Sequence, residues 1–256
     1  YTLDNLHSLG VEIYVNAGVD EIVVENNTVK GVKLKNRFVP CSSVISNAGI
    51  NITYNKLLPE HLRKNKIVDS SKLNFSTGHM CLYVGLNKSD IDLNLPKHNI
   101  WNFSEYDFDH LFEKIVPSTT AESFSYISFP SAKDPLWPEK HPNTSTIQAL
   151  SVGKYEWFSK FEATEWMKRE EEYVKMKKEF ERDMLNKLYE LLPQIKGHVA
   201  YTEVSSPLST KHFSNYQHGE IYGLSHGPER FDNSYLRPET KIKGLRLTGQ
   251  DIALVG

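Results

Sequence analysis

The sequence predicts a mixed α/β fold: part of an open sheet, assembled from two separated segments, with a second domain inserted between them. Three observations predict it. Near the start, short runs of alternating apolar and polar residues follow one another and lead to Asn47-Ala48-Gly49. At the other end, Leu245-Arg246-Leu247 runs into Thr248-Gly249-Gln250-Asp251. Between these two ends lie three more strand-like runs and one long amphipathic helix. Strands, an inserted domain and a return strand, in that order, describe a sheet that is completed late in the chain.

The first region covers residues 1–58. It opens on what reads as the end of a helix. Val11-Glu12-Ile13-Tyr14-Val15 alternates as a half-buried strand does. Gly18 marks a bend, and Val19 to Glu25 reads as a second strand. Asn26-Asn27 is turn chemistry, because Asn tolerates positive φ. Val29 to Lys35 alternates again as a third strand, giving an antiparallel meander. Ser43-Val44-Ile45-Ser46 then reads as a buried strand. The small residues Asn47, Ala48 and Gly49 at its end allow a ligand or another backbone to come close.

The second region covers residues 59–214, and we expect a mixed sheet there. Gly78–Leu86, Ser123–Phe129 and Thr144–Leu150 read as strands, and the Pro-containing stretch from Asp134 to Pro138 as a loop. A helix is predicted from Glu165 to Leu192. Trp166, Tyr173, Met176, Phe180, Met184, Leu188 and Leu191 step by three, four or seven and define one buried face. Acidic and basic residues interleave on its other side, which reads as a solvated face more than a lipid-binding one. The third region, residues 215–256, holds the Gly-rich run from Gly219 to Gly227 and the return strand. Gly249 frees the backbone to turn sharply there, and Asp251 offers acceptors to ligand hydroxyls.

Composition excludes several functions. The net charge of the 256 residues is -2, which gives no support to a nucleic-acid partner. Two cysteines, Cys41 and Cys81, are too few for a disulfide scaffold. Ten His occur, but no His-Glu-x-x-His and no Cys-x-x-Cys, so a zinc or iron site has little sequence support. There is no Gly-x-Ser-x-Gly elbow and no phosphate-cradling Gly-Lys-Ser/Thr. The Gly-x-Gly-x-x-Gly fingerprint of a complete dinucleotide-binding unit is absent as well.

Three stretches nevertheless carry a family resemblance: Gly10–Val32, Val44–Gly49, and the pair Gly219-x-x-Tyr222-Gly223-x-x-His226 with Leu247–Asp251. In this order they resemble the rear part of a flavoprotein of the phytoene desaturase and carotenoid isomerase superfamily. Carotenoid desaturases usually end in a Gly-x-Gly-Thr-x-Pro-Gly pattern; Thr-Gly-Gln-Asp is more similar to the retinol saturase branch. The resemblance implies an incomplete FAD/NAD(P)-binding Rossmann-like domain, with its pyrophosphate-binding strand-turn-helix expected before Tyr1 and a further helix after Gly256. It implies FAD as cofactor, with the Val19 backbone at the adenine and with Asn47, Ala48, Gly49, Gly249, Gln250 and Asp251 along the dinucleotide. No metal is implied.

The resemblance also implies a chemistry, the reduction of a C=C bond in an apolar, retinoid- or carotenoid-like polyene. NAD(P)H stays open as electron donor. Such a substrate needs a long apolar slot. Trp101, Phe103, Tyr126, Phe129, Ile147 and Leu150 would suit its walls, and would equally suit strand core. Tyr222 and His226 are candidates for moving or holding a proton. Redox-neutral isomerisation, desaturation and a non-catalytic isoprenoid-binding role remain as alternatives. Peripheral membrane contact stays open, and so does location, between a membrane (the endoplasmic reticulum in a eukaryote) and the cytoplasm.

Overall fold

The computed structural model describes residues 2–63 and 74–252. Ten strands occur among them: β1 (Glu21–Glu25), β2 (Thr28–Leu34), β3 (Arg37–Pro40), β4 (Val44–Ser46), β5 (His79–Leu86), β6 (Ile100–Phe103), β7 (Phe124–Ser128), β8 (Ser145–Val152), β9 (Val199–Ser205) and β10 (Leu245–Leu247). The chain forms two compact units, one from Tyr1–Asn74 with Leu224–Gly256, the other from Phe75–Gly223.

In the first unit, β1, β2 and β3 form the antiparallel meander. Asn26 and Asn27 turn it with φ of 48° and 57°, the left-handed conformation that Asn tolerates. The strands differ from those expected. Val11–Val15 is not a strand; all five residues are exposed and have no ladder partner among the described residues. Alternation alone does not make a strand when no neighbour offers backbone groups to pair with. The meander is completed by Arg37–Pro40 instead, with Val39 opposite Val32. The lead-in to β10 is stitched to the meander: Val29 N donates to Lys243 O and Lys243 N to Asn27 O, both at 2.9 Å.

The remaining strands of this unit pair across the sequence. β4 and β10 run parallel, with Val44 opposite Leu245 and Ser46 opposite Leu247. Some 200 residues therefore separate two neighbouring strands, the arrangement expected of a sheet completed late in the chain. β4 itself is not the buried strand that its composition suggested: Ser46 is buried but Ile45 is exposed.

The second unit is built on a five-stranded sheet in the order β6-β7-β8-β5-β9. The expected mixed sheet is corrected: every pairing in it is antiparallel. β8 shows why the strand forms. Ser145, Ile147, Ala149 and Ser151 are buried while Thr146, Gln148 and Leu150 are only half-buried, the period-two pattern of a sheet with one packed face. That face is covered by the helix Glu171–Leu191, whose Phe180, Met184 and Leu188 join Leu82, Val84, Ile127 and Ile147 in one core. The helix is shorter than predicted at its start. Met167 adopts φ 63°, which a right-handed helix cannot contain, and Trp166 stacks on His212 instead, 4.2 Å away and 4° from parallel. The stretch around Pro135 and Pro138 is only partly a loop, because Pro138 falls in the first turn of a short helix, Trp137–Lys140, where its missing N–H costs nothing.

Cys81 lies in the core of this unit, and burial pushes its thiol up to about 11. At pH 8 it should therefore stay protonated and resist alkylation in the native protein, while half-buried Cys41 should react first. Peptide mass mapping after a short iodoacetamide pulse checks this. Equal labelling of the two would contradict the packing. No helix among the described residues is long and apolar enough to cross a membrane.

Candidate functional site

The parallel pair β4–β10 brings two loops to the same edge of the sheet. Asn47-Ala48-Gly49 leaves the carboxyl end of β4, and Thr248-Gly249-Gln250-Asp251 leaves that of β10. Thr248 N donates to Ser46 O at 2.9 Å, so the second loop begins in register with the first. Both loops need glycine. Gly49 has φ 83° where it caps the helix that starts at Ile50. Gly249 has φ 97°, and a Cβ there would stand 1.9 Å from Asn47 Oδ1. The backbone of one loop therefore lies directly against the side chain of the other.

Asp251 locks this arrangement. It is only 5% exposed. Its Oδ2 accepts from Ile50 N at 2.8 Å and its Oδ1 from Leu224 N at 2.9 Å. One carboxylate thus joins three segments far apart in sequence. On the β4 side, Ser46 Oγ and Thr53 Oγ1 lie 2.7 Å apart, and Thr53 Oγ1 donates to Gly49 O at 2.7 Å, closing the turn from within.

Sequence reasoning missed Arg230. Its side chain is almost wholly buried, beside Asp251. Its Nη1 donates to Leu224 O at 2.9 Å, and its Nη2 donates to Gln250 O. Leu224 is consequently gripped on both sides, its N–H by Asp251 and its C=O by Arg230. Burial and the Asp251 charge act in opposite directions on this guanidinium, with burial the larger and lowering. No local pattern marks Arg230 in the sequence. It follows Gly227-Pro228 on a four-residue helical turn, and its partners are 6 and 20 residues away.

His226 joins the same cluster, with Nε2 3.5 Å from Arg230 Nη1. A guanidinium can only donate, so in this pair Nε2 is the acceptor. Its pKa is correspondingly lowered, first by burial, then by the Arg230 charge, with Asp251 acting in the opposite sense.

Of the residues singled out from sequence, then, Asn47, Ala48, Gly49, Gly249, Gln250, Asp251 and His226 come together in the first unit. Val19 stands outside this cluster, exposed ahead of β1. β1 packs on the helical turn Thr53–Leu57, which follows directly from the Gly49 turn. Tyr222 belongs to the second unit, half-exposed, with its N–H donating to Ser76 Oγ at 3.0 Å.

The expected apolar walls divide between the two faces of the five-stranded sheet. Phe129 and Ile147 are core, fully buried on the side of the long helix. Trp101, Tyr126 and Leu150 are cross-strand neighbours on the other face, and Phe103 is opposite Phe124 there. Trp101 packs edge-on to Tyr126 at 4.8 Å between ring centroids, and Phe103 lies 5.1 Å from Phe124. This second face is an aromatic surface with Trp101 60% exposed.

The chain matches no family model. It is 33% identical over 223 residues to the all-trans-retinol 13,14-reductase of Danio rerio, covering 83% of this chain and 37% of that protein. A phytoene desaturase of Fusarium fujikuroi is 38% identical over 134 residues, covering 50% of this chain and 22% of that protein. The crystal structure of an oxidoreductase from Methanosarcina mazei superposes with a TM-score of 0.55 at 13% identity, over 98% of this chain and 47% of that one, which shows a shared fold. The chain thus spans less than half the length of each of these proteins. With the three sequence stretches and the strand pairing that unites two of them, these similarities establish that the chain belongs to the family of the all-trans-retinol 13,14-reductases and phytoene desaturases.

Proposed function

We propose that this chain is part of an FAD-dependent oxidoreductase that saturates a C=C bond of a retinoid- or carotenoid-like polyene. The observation that carries the reading is the parallel β4–β10 pair, with its two glycine loops fastened by Asp251. Loops at the carboxyl ends of adjacent parallel strands are where open α/β sheets receive nucleotides. The residues present suit a dinucleotide: both loops place small residues at the strand ends, and the positive φ of Gly49 and Gly249 turns each loop sharply there.

Asn47, Ala48, Gly49, Gly249 and Gln250 would hold the cofactor, and the Val19 backbone would meet its adenine. When bound, the flavin supplies the hydride chemistry, with NAD(P)H as a source of electrons. Asp251 has both oxygens engaged by main-chain N–H groups, so its task would be to fix the two loops against which the ribityl chain would lie. The aromatic sheet face of the second unit, around Trp101, Phe103 and Tyr126, offers an apolar surface for the polyene. Tyr222 and His226 position the substrate or deliver the proton that accompanies reduction. Peripheral contact with a membrane would suit such a substrate.

The direct test is product mass. The intact, flavin-loaded protein given an all-trans polyene alcohol should yield a product heavier by two hydrogens. A product of unchanged mass and altered geometry would replace reduction by isomerisation, and no product would leave a binding role. Within this reading, Tyr222→Phe should lower turnover roughly 10²-fold with flavin content unchanged. Full turnover would remove Tyr222 from the mechanism.

The pH dependence follows from the lowered pKa of His226. Above pH 6.5, the ordinary value, the ring is neutral in folded and unfolded chains alike. As pH falls from there towards the lower folded-state value, the unfolded chain takes up the proton first, so stability declines on the acid side and not on the alkaline side. Urea midpoints between pH 5 and 8 should show this decline, and His226→Asn should reduce it. An unchanged profile in that variant would assign the effect to another group.

A further inference from the structure

The second unit contains a groove of about 800 Å³, running between the long helix and the edge strand β9. None of its lining residues belongs to the two glycine loops. Its walls are mixed, and their apolar part is open: Met167 is 86% exposed and Phe213 75%, with Val174 and Tyr201 also exposed. Apolar surface of this kind gathered along one groove marks a place where something docks.

The charges in the groove say what kind of ligand. Its two carboxylates are already engaged. Glu181 takes Lys178 at 2.9 Å and the Thr202 hydroxyl at 2.6 Å, and Glu203 takes the Tyr201 hydroxyl at 2.5 Å. Arg169 and Lys177 are different. Both are half-buried and both lean on the ring of Tyr173, at 5.2 Å and 5.8 Å, and neither forms an ion pair among the described residues. Arg169 is also held in place. Its Nη1 donates to Phe161 O at 2.8 Å and to Thr164 Oγ1 at 3.1 Å, and the guanidinium lies 5.8 Å from the Trp166 ring. Those bonds use only Nη1. The Nε–Nη2 edge, which can grip a carboxylate through two parallel hydrogen bonds, has no protein acceptor among the described residues. A fixed, half-desolvated guanidinium, with a second cation on the same tyrosine ring, is a prepared anion site within the groove.

The geometry points to a binding site for a long-chain carboxylate, its head on Arg169 and Lys177 and its chain along Met167 and Phe213, beside the Trp166 ring. Its residues all belong to the second unit and those of the two glycine loops to the first, and the proposal does not depend on the proposed reaction.

Calorimetry on the intact, flavin-loaded protein tests this with dodecanoate below its micellar concentration, against dodecanol and acetate. Dodecanoate should bind one per chain, at least about tenfold more tightly than dodecanol, the worth of one charge-assisted hydrogen-bonded pair in a half-buried site. Acetate, with no chain to bury, should not bind measurably. Arg169→Met should cut dodecanoate affinity about tenfold and leave dodecanol unaffected. Because Arg169 also braces its own turn, Lys177→Met provides a second variant with the same expected loss and no backbone bonds to break. Phe213→Ser should weaken both ligands. Equal affinity for acid and alcohol, or unchanged dodecanoate affinity in both charge variants, would overturn the proposal. So would attachment to anionic phospholipid vesicles, or self-association through these residues, without binding of monomeric dodecanoate. Flavin content read in the same samples keeps this outcome apart from that of the proposed reaction.

Discussion

Replacing Asp251 by Ala should destabilise the protein by about 3–5 kcal/mol, the usual cost of removing one member of a buried charged cluster. The reasons are local and cumulative. The substitution leaves two N–H groups, those of Ile50 and Leu224, without their acceptor. It also leaves the buried guanidinium of Arg230 without its neighbouring negative charge. Water cannot readily repair this, since Asp251 is only 5% exposed. Asp251→Asn keeps one acceptor oxygen and should lose less. Urea unfolding of the three proteins, followed by circular dichroism, gives the ordering wild type, Asn, Ala. An Ala variant within about 1 kcal/mol of wild type would mean that the three segments are not fastened together by this carboxylate.

The second large effect is expected at Gly249. An Ala there must accept φ 97° and must also displace the Asn47 side chain, whose Oδ1 would stand 1.9 Å from the new Cβ. Backbone strain of this kind costs about 1–3 kcal/mol, and the displaced Asn47 adds to it. The two contributions can be separated. In a double-mutant cycle, Asn47→Ala should recover the steric part of the Gly249→Ala loss and leave the backbone part. Strict additivity would mean that the two loops do not touch. Flavin retention should fall in Gly249→Ala and in Asp251→Ala alike, because both disturb the same pair of loops.

Much of the fold was legible from side-chain pattern, where pattern reports burial. Ser145–Val152 alternates because one face of β8 is packed, and Asn26-Asn27 turns because Asn accepts positive φ. Asn47–Gly49 and Gly249–Asp251 stood out because small residues at strand ends let chains approach, and the structure places them against each other. What remained hidden is long-range or conformational. Val11–Val15 carries a strand's alternation but has no ladder partner among the described residues, whereas Arg37–Pro40, which carries no such pattern, is recruited by β2. Trp166 lies seven residues before Tyr173 and so mimics the helix face, yet spacing says nothing about φ, and Met167 turns the chain away. Val199–Ser205 was overlooked because it is an edge strand with little buried surface. Arg230 was invisible because its role is set by main-chain oxygens, at Leu224 and Gln250, that no sequence pattern announces.

The dinucleotide reading of the first unit is tested most directly by the flavin stoichiometry of the intact protein. After purification with excess FAD and removal of unbound cofactor, absorbance and release by heat should give one FAD per chain, and much less in Gly249→Ala and Asp251→Ala. A folded but colourless wild-type protein that takes up no FAD, or variants that retain it fully, would contradict the account.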